Sequence, residues 1–422
     1  MLHRCFFKVM GLEVFLKNCG NLMIKKEKRP LVVSLFTGGG GLDLGLDAAG
    51  FHTVFASDID AHSCSTLKMG REAAAAMGKP ILEGAHIEQS DVRDLSGKYI
   101  LDTIGLKPGE LGMLAGGPPC QAFSVFGRRK GKEDPRGMLA WEFIRLIGEL
   151  QPKCFLFENV YGLLTIEKGR VFEELCKELR EPASGIGYTI KVFRLNAADF
   201  GVPQFRDRVF VLGMKDDVDF DQVNPLCGDF SGDLFGECIL PYRTVANGLH
   251  GLPPMGTSSI GNHTGRKHSQ RIIDRYASMA PGARDKHTRI NKLDLKRPSF
   301  TIIVGSDAGG GKGHIHPLEP REVTPRESAR MQTFPDWWTF SGTGRHPIRQ
   351  VGNAVPPLLS GVLAKHILQK CFGRKDRSYR EIVEYLSATH LFSEEELSIL
   401  DRMEFGHFSK VSTLSQAQPS IV

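Results

Sequence analysis

No stretch of this sequence approaches the roughly 18 consecutive apolar residues that a membrane-spanning helix needs, which excludes a helical membrane protein. Close cysteine pairs are missing as well: the nine cysteines include no Cys-x-x-Cys, and the count is odd. That argues against a disulfide framework or a zinc module, predicts no metal site, and points to a reducing, cytoplasmic setting. Neither sign of charge dominates. Fifty-four Lys and Arg against 48 Asp and Glu leave a net +6, which permits a nucleic-acid partner without demanding one. A secretory signal is lacking too, because Arg4, Lys8 and Lys17 interrupt the apolar residues of the first 22 positions and no small-residue cleavage site follows.

What is present is a chain of 422 residues, 41% hydrophobic and 24% charged, which is enough for a large core and two or three domains. Met23 opens a short polar lead-in before the first strand-like run, so residues 1–22 read as a non-native or disordered extension. From Leu31, short apolar runs alternate with helical stretches. Strands are expected at 31–36, 53–57, 111–115, 153–157, 188–195 and 208–213, and helices near 41–49, 60–77, 137–150 and 167–180. This rhythm predicts an α/β fold over 23–214: a doubly wound, mostly parallel sheet with ligands at the carboxyl ends of its strands.

The rhythm stops after Met214. Residues 215–320 are loop-rich with one clear helix near 267–279, and Arg243–Arg297 holds eleven Lys or Arg against three Asp or Glu. Such a segment reads equally as a solvated surface or as a smaller nucleic-acid-contacting domain. Residues 321–371 return to an apolar pattern whose helix at 355–371 packs back on the first domain. Residues 372–422 form an extension with one amphipathic stretch at 393–403, to which no role attaches.

Five segments can carry chemistry. Phe36-Thr-Gly-Gly-Gly-Gly-Leu-Asp-Leu-Gly45 follows a strand and opens a helix, so its backbone can approach a ligand closely while the helix start offers free N–H groups. Asp58, after the next strand, is placed for ribose hydroxyls; the pair fits NAD, FAD or S-adenosylmethionine. Gly116-Gly-Pro-Pro-Cys-Gln-Ala-Phe-Ser124 is more specific, since two prolines raise Cys120 on a rigid loop that a structural cysteine does not need. Arg128, Arg129 and Arg208 are plausible sources of the positive charge that increases its thiolate fraction. Glu158 ends an all-apolar strand, which makes it awkward to bury without a partner and fit to act as a general acid with a raised pKa. Arg206 and Arg208 alternate on an incipient strand, one free to pair with Asp207 or Glu158 and the other to present its donor fork to a carbonyl or phosphate. Lastly, Thr324-Pro-Arg-Glu327 is a capping box opening a helix stopped by Pro335, and Gln350-Val-Gly-Asn-Ala-Val-Pro-Pro357 reads as a tight turn before a helix.

Taken in order, these segments resemble the cytosine-5 DNA methyltransferase family of prokaryotic restriction-modification systems. The match runs from Leu31 to about Cys371 through FTGGGGLDLG, SDID, GGPPCQAFS, ENV, VPQFRDR, TPRESARMQTFPD and QVGNAVPP. The resemblance implies a methyl transfer from S-adenosylmethionine to carbon 5 of a cytosine flipped out of a specific duplex DNA sequence. Cys120 would add to carbon 6, Glu158 would hold N3 and the exocyclic amine, and Arg208 would contact O2 with Arg206 in support. Phe36 would contact the adenine, Gly38, Gly40 and Gly41 the methionine moiety, Asp58 the ribose and Asp91 the adenine amino group. Asn353 and Val355 would close the site. Segment 215–320 would recognise the target, with Arg284, Arg289, Lys292 and Arg297 as candidate DNA contacts. The resemblance implies duplex DNA as partner and no obligatory protein partner, and it allows a companion restriction endonuclease acting on the same site.

Two departures stand out: Asp58 replaces the family's usual Glu, so the ribose contact is expected to lengthen or pass to Asp60, and Phe205 replaces a polar residue. Three rival readings compete. A tRNA cytosine methyltransferase of the same fold is disfavoured by the long basic segment. A catalytically silent DNA-binding protein has no use for Cys120, Glu158 and Arg208 together, and a NAD-dependent dehydrogenase leaves Cys120 without a task.

Overall fold

The computed structural model describes residues 29–119, 138–182, 185–229, 240–302 and 313–403. The expected extension at 1–22 lies outside these residues, as does Cys120 with Arg128 and Arg129. The first half is an alternation of strands and helices: β1 (Leu31–Leu35), α1 (Gly41–Ala49), β2 (His52–Asp58), α2 (Ala61–Ala76), β3 (His86–Gln89), α3 (Gly97–Ile104), β4 (Met113–Gly116), α4 (Met138–Leu150), β5 (Cys154–Val160), α5 (Arg170–Arg180), β6 (Thr189–Asn196) and β7 (Asp207–Met214). They build a seven-stranded sheet in the order β3-β2-β1-β4-β5-β7-β6. The pairs among β1 to β5 are parallel, whereas β7 runs antiparallel to both β5 and β6. The expected doubly wound, mostly parallel sheet is therefore present.

Side chains on successive strand positions point to opposite faces, and both faces of this sheet are covered. Val32, Ala56, Ala115, Leu156 and Phe210 face one core, shared with the buried faces of α1 and α2. Val33, Leu35, Leu114, Phe157 and Val211 face the other, under α3, α4 and α5. Two elements had no clear sequence signal. Strand β3 is the polar segment His-Ile-Glu-Gln at the sheet edge, where Ile87 is its one buried residue, and α3 is a short amphipathic turn capped by Ser96.

After β7 come α6 (Val245–Leu249), α7 (Gln270–Ala277), α8 (Pro325–Met331), α9 (His346–Asn353), α10 (Pro357–Phe372), α11 (Tyr379–Tyr385) and α12 (Glu394–Met403). Tyr276, Ile290 and Ile315 form a small cluster of their own within the basic segment, while its Val245, Leu293 and Ile302 join the larger core. The capping box at Thr324 and Glu327 is present with Pro325 in the first turn, although α8 ends at Met331, before Pro335. Gly352 and Asn353 belong to the last turn of α9 and not to a free turn, which corrects the expectation for that segment.

Residues 372–403 of the C-terminal extension are built into the core. Leu386, Leu391, Leu397 and Leu400 are buried there, and Arg243 holds both Glu396 carboxylate oxygens at 2.8 Å. Arg377 donates to the Asp47 and Ala48 carbonyls, satisfying the C-terminal end of α1. No helix among the described residues is long and apolar enough to cross a membrane.

Candidate active site

The glycine loop leaves β1 through a strained backbone. Phe36 has φ 55°, in the left-handed region that side chains other than Asn, Asp and Gly seldom adopt, followed by Gly38 at 53° and Gly40 at 80°. Gly40 and Gly41 are required by close approach. A Cβ at Gly40 would lie 2.7 Å from the Trp338 ring, and one at Gly41 would lie 2.0 Å from the Val355 carbonyl oxygen. Trp338 also donates its indole N–H to the Gly39 carbonyl at 2.9 Å, and Ser360 Oγ donates to the Gly41 carbonyl at 3.0 Å. The far end of the chain thus forms the wall behind the loop. At Gly38 the missing side chain faces open space instead.

Asp58 meets the loop from the end of β2. Its carboxylate accepts from Gly38 N–H at 2.8 Å and Asp60 N–H at 2.9 Å, while burial pushes its pKa up against these two bonds. Asp60 is committed elsewhere, as the N-cap of α2 and in an ion pair with Arg349 at 3.3 Å, so Asp58 is the carboxylate left at the loop. Ile59, beside it, is 64% exposed on the same rim. The Thr37 hydroxyl is buried without a hydrogen-bond partner among the described residues. Open space at Gly38, an acceptor for hydroxyls and an apolar face fit a nucleoside cofactor with a small charged tail.

The other predicted cofactor residues are placed less directly. Asp91 turns onto Arg93, which donates to both of its oxygens at 3.0 and 2.5 Å and holds the carboxyl below its usual range. Asn353 is exposed at the end of α9, and Val355 is buried, offering its carbonyl to Gly41.

At the carboxyl ends of β4 and β5 lies a second cluster. Arg208 Nε sits 2.8 Å from Glu158 Oε1 with both side chains buried. Burial pushes the Glu158 carboxyl up, and the cations of Arg208 and Arg206 oppose it. A Cβ at Gly117 would lie 2.5 Å from Glu158 Oε2, so the backbone leading to Cys120 passes directly over this carboxyl. Asn159 Nδ2 donates to the Pro118 carbonyl at 2.9 Å and tethers the same loop. Arg206 is fully buried and donates to the Gly352 and Ala354 carbonyls at 2.6 and 2.9 Å. Its charge therefore ties β7 to the end of α9, a supporting role.

The basic candidates divide. Arg284, Arg289 and Arg297 are exposed. Lys292, expected with them, is buried, and its ammonium donates to the Tyr276 and Met279 carbonyls at the end of α7. A cation satisfies helix-terminal carbonyls there, so the side chain is not presented to a ligand.

Asn159, Trp338 and Ile59 had not been singled out from the sequence. Asn159 and Ile59 adjoin residues that were, and Trp338 is one of three tryptophans, but their partners come from other segments and carry no local signal.

The chain is 32% identical over 379 residues to the Type II methyltransferase M.XorII of Xanthomonas oryzae pv. oryzae, covering 81% of this chain and 85% of that protein. It is 34% identical over 365 residues to M.NgoFVII of Neisseria gonorrhoeae, covering 83% and 90%. Among solved structures, an E. coli prophage-encoded protein described as a DNA modification methyltransferase superposes with a TM-score of 0.62 at 29% identity, covering 81% of this chain and 99% of that one. A sequence model of the family matches residues 31–238 and 249–369, and the chain belongs to the C-5 cytosine-specific DNA methylases.

Proposed function

We propose that this DNA cytosine-5 methyltransferase works through a covalent Cys120 adduct on a cytosine flipped out of duplex DNA, with Glu158 and Arg208 gripping the base. The buried Arg208–Glu158 pair beneath the Gly117-Pro118 backbone carries this reading. Carbon 5 of cytosine is a poor nucleophile within an aromatic ring. Addition of the Cys120 thiolate at carbon 6 breaks the aromaticity, and N3 accumulates charge as the S–C6 bond forms. Glu158, whose pKa burial raises, meets that charge with a proton or hydrogen bond, and Arg208 faces O2. The Phe36–Gly41 loop and Asp58, with Ile59 beside the adenine, would hold S-adenosylmethionine, whose sulfonium would give up its methyl group to carbon 5 and leave as S-adenosylhomocysteine. Removal of the C5 proton then returns the electron pair that expels Cys120, leaving 5-methylcytosine. Enclosure of both clusters at the sheet edge requires the base to leave the helix, at a cost of a few kcal/mol.

Exposed Arg284, Arg289 and Arg297 are assigned to the duplex. The Type II methyltransferase names of the relatives support a modification enzyme, and pairing with an endonuclease in the cytoplasm belongs to the same proposal. The test is transfer of labelled methyl from S-adenosylmethionine to unmethylated duplex DNA, with tRNA in parallel, by wild type and Cys120→Ala. Label at carbon 5 of cytosine that vanishes in the variant is the expected result, and sequencing the product names the recognition site. Transfer to tRNA alone, or undiminished transfer by Cys120→Ala, overturns the proposal.

A further inference from the structure

We propose that Phe205 and Phe300 form a stacking shelf for the nucleobase next to the target cytosine, an inference that rests on the base-flipping reading above. Because β7 is antiparallel to β5, with Arg208 opposite Val160, it enters the sheet from the carboxyl edge. Residues 204–206 precede it and lie on the rim where the reacting groups gather. There they run parallel to 299–301. Gln204 is bridged to Ser299, Phe205 N–H donates to the Ser299 carbonyl at 2.9 Å, and Thr301 Oγ1 donates to the Phe205 carbonyl at 2.6 Å.

Alternation does the rest. Gln204, Arg206 and Ser299 are buried, and the two phenylalanines project the other way from backbones roughly 4.8 Å apart, 38% and 42% exposed. Neither ring is loose. Phe205 packs edge-on to Tyr242 with centroids 5.5 Å apart, and Phe300 lies 6.1 Å from the His314 ring, whose Nε2 is 2.9 Å from the Phe300 carbonyl. Two positioned aromatic faces kept out of the core are costly in water and useful to a planar ligand.

Duplex DNA supplies that ligand. When the cytosine leaves the stack its neighbour loses a partner, and every base offers a π-face that can stack on an aromatic side chain. Exposed Lys296 and Arg297, just upstream of Phe300, offer cations to the adjoining phosphates.

The test uses the full-length protein and a duplex bearing the methylated sequence with 2-aminopurine beside the target cytosine. Phe205→Ser/Phe300→Ser should bind this duplex at least tenfold more weakly than wild type. Its salt dependence, S-adenosylmethionine affinity and melting temperature should be unchanged, and the quenched probe emission should brighten. Phe205→Leu/Phe300→Leu should also lose the quenching. Affinity and emission within twofold of wild type overturn the shelf, and so does a loss accompanied by a lower salt slope, which would mark a phosphate contact, or by a lower melting temperature. A wild type that neither binds nor methylates duplex DNA removes the parent reading, and the shelf with it; a fully active wild type beside an unaffected serine variant removes the shelf alone.

Discussion

Arg208 and Glu158 are diagonal neighbours across the β5–β7 ladder, their side chains 2.8 Å apart and both buried. Removing one partner strands the other charge, so Arg208→Met should cost about 3–5 kcal/mol of stability. Glu158→Gln should cost less, and the double variant should fall well short of the sum. Denaturant unfolding of the four proteins measures the cycle; strict additivity would mean that the pair is not coupled. Glu158→Gln should also lower kcat by about 100-fold or more while duplex affinity stays within a few-fold, as expected when a group acts on charge that develops during the reaction.

Asn159 is predicted to act through the loop it holds. Loss of its bond to the Pro118 carbonyl in Asn159→Ala frees the backbone that presents Cys120. The rate of covalent complex formation with a 5-fluorocytosine duplex should fall by about tenfold or more, since small misplacements of a nucleophile are expensive. Affinities for S-adenosylmethionine and DNA should hold. An unchanged trapping rate would show the tether to be dispensable.

Arg297 and Lys292 should separate cleanly. Arg297→Ala should weaken duplex binding across sequences and lower the slope of log K against log salt by about 1. Lys292→Met should leave that slope alone and instead lower the melting temperature, because its ammonium serves the carbonyls at the end of α7. Isothermal binding at several salt concentrations decides the matter, and a salt-slope change in Lys292→Met would contradict its assignment.

Asp43, in the first turn of α1, is fully buried. Burial lifts its pKa from 3.8 to about 6, with Ser34 pulling it down and Asp58 adding a little. The folded protein therefore keeps a proton that the unfolded chain releases, and stability falls as pH rises from about 4 to 6 and stays lower above that. Asp43→Asn should be more stable than wild type at pH 8, by an amount on the order of 3 kcal/mol at most, and nearly equal to it at pH 3.5. Asp47, lifted by burial to about 7, remains and keeps part of the slope. Melting curves across this range test the sign; a variant less stable at pH 8 would refute it.

The strands that hold the site were legible because a sheet buried on both faces demands apolar runs, and β1, β2, β5, β6 and β7 fall within a few residues of their expected bounds. Strand β3 was not, since a polar edge strand owes its existence to the neighbour Phe55–Asp58 and not to its own residues. The antiparallel course of β7 is equally silent in sequence. The Glu158–Arg208 pair was readable, because a carboxylate ending an apolar strand needs a partner and the arginines alternating on the incipient strand at 206 and 208 can supply one. The burial of Lys292 was not, because a lysine looks the same whether its ammonium meets water or helix carbonyls.

The wall behind the glycine loop has a consequence for timing. Gly39 and Trp338 are 299 residues apart in the chain, yet the indole bond between them is part of what shapes the loop. A ribosome adding about 5–20 residues per second produces Trp338 roughly 15–60 s after Gly39. Once Glu158 has been made, the nascent chain holds its glycine loop, Asp58 and the Glu158 strand but still has no rear wall. The loop therefore takes its final shape only late in synthesis, once Trp338, Val355 and Ser360 have all been added.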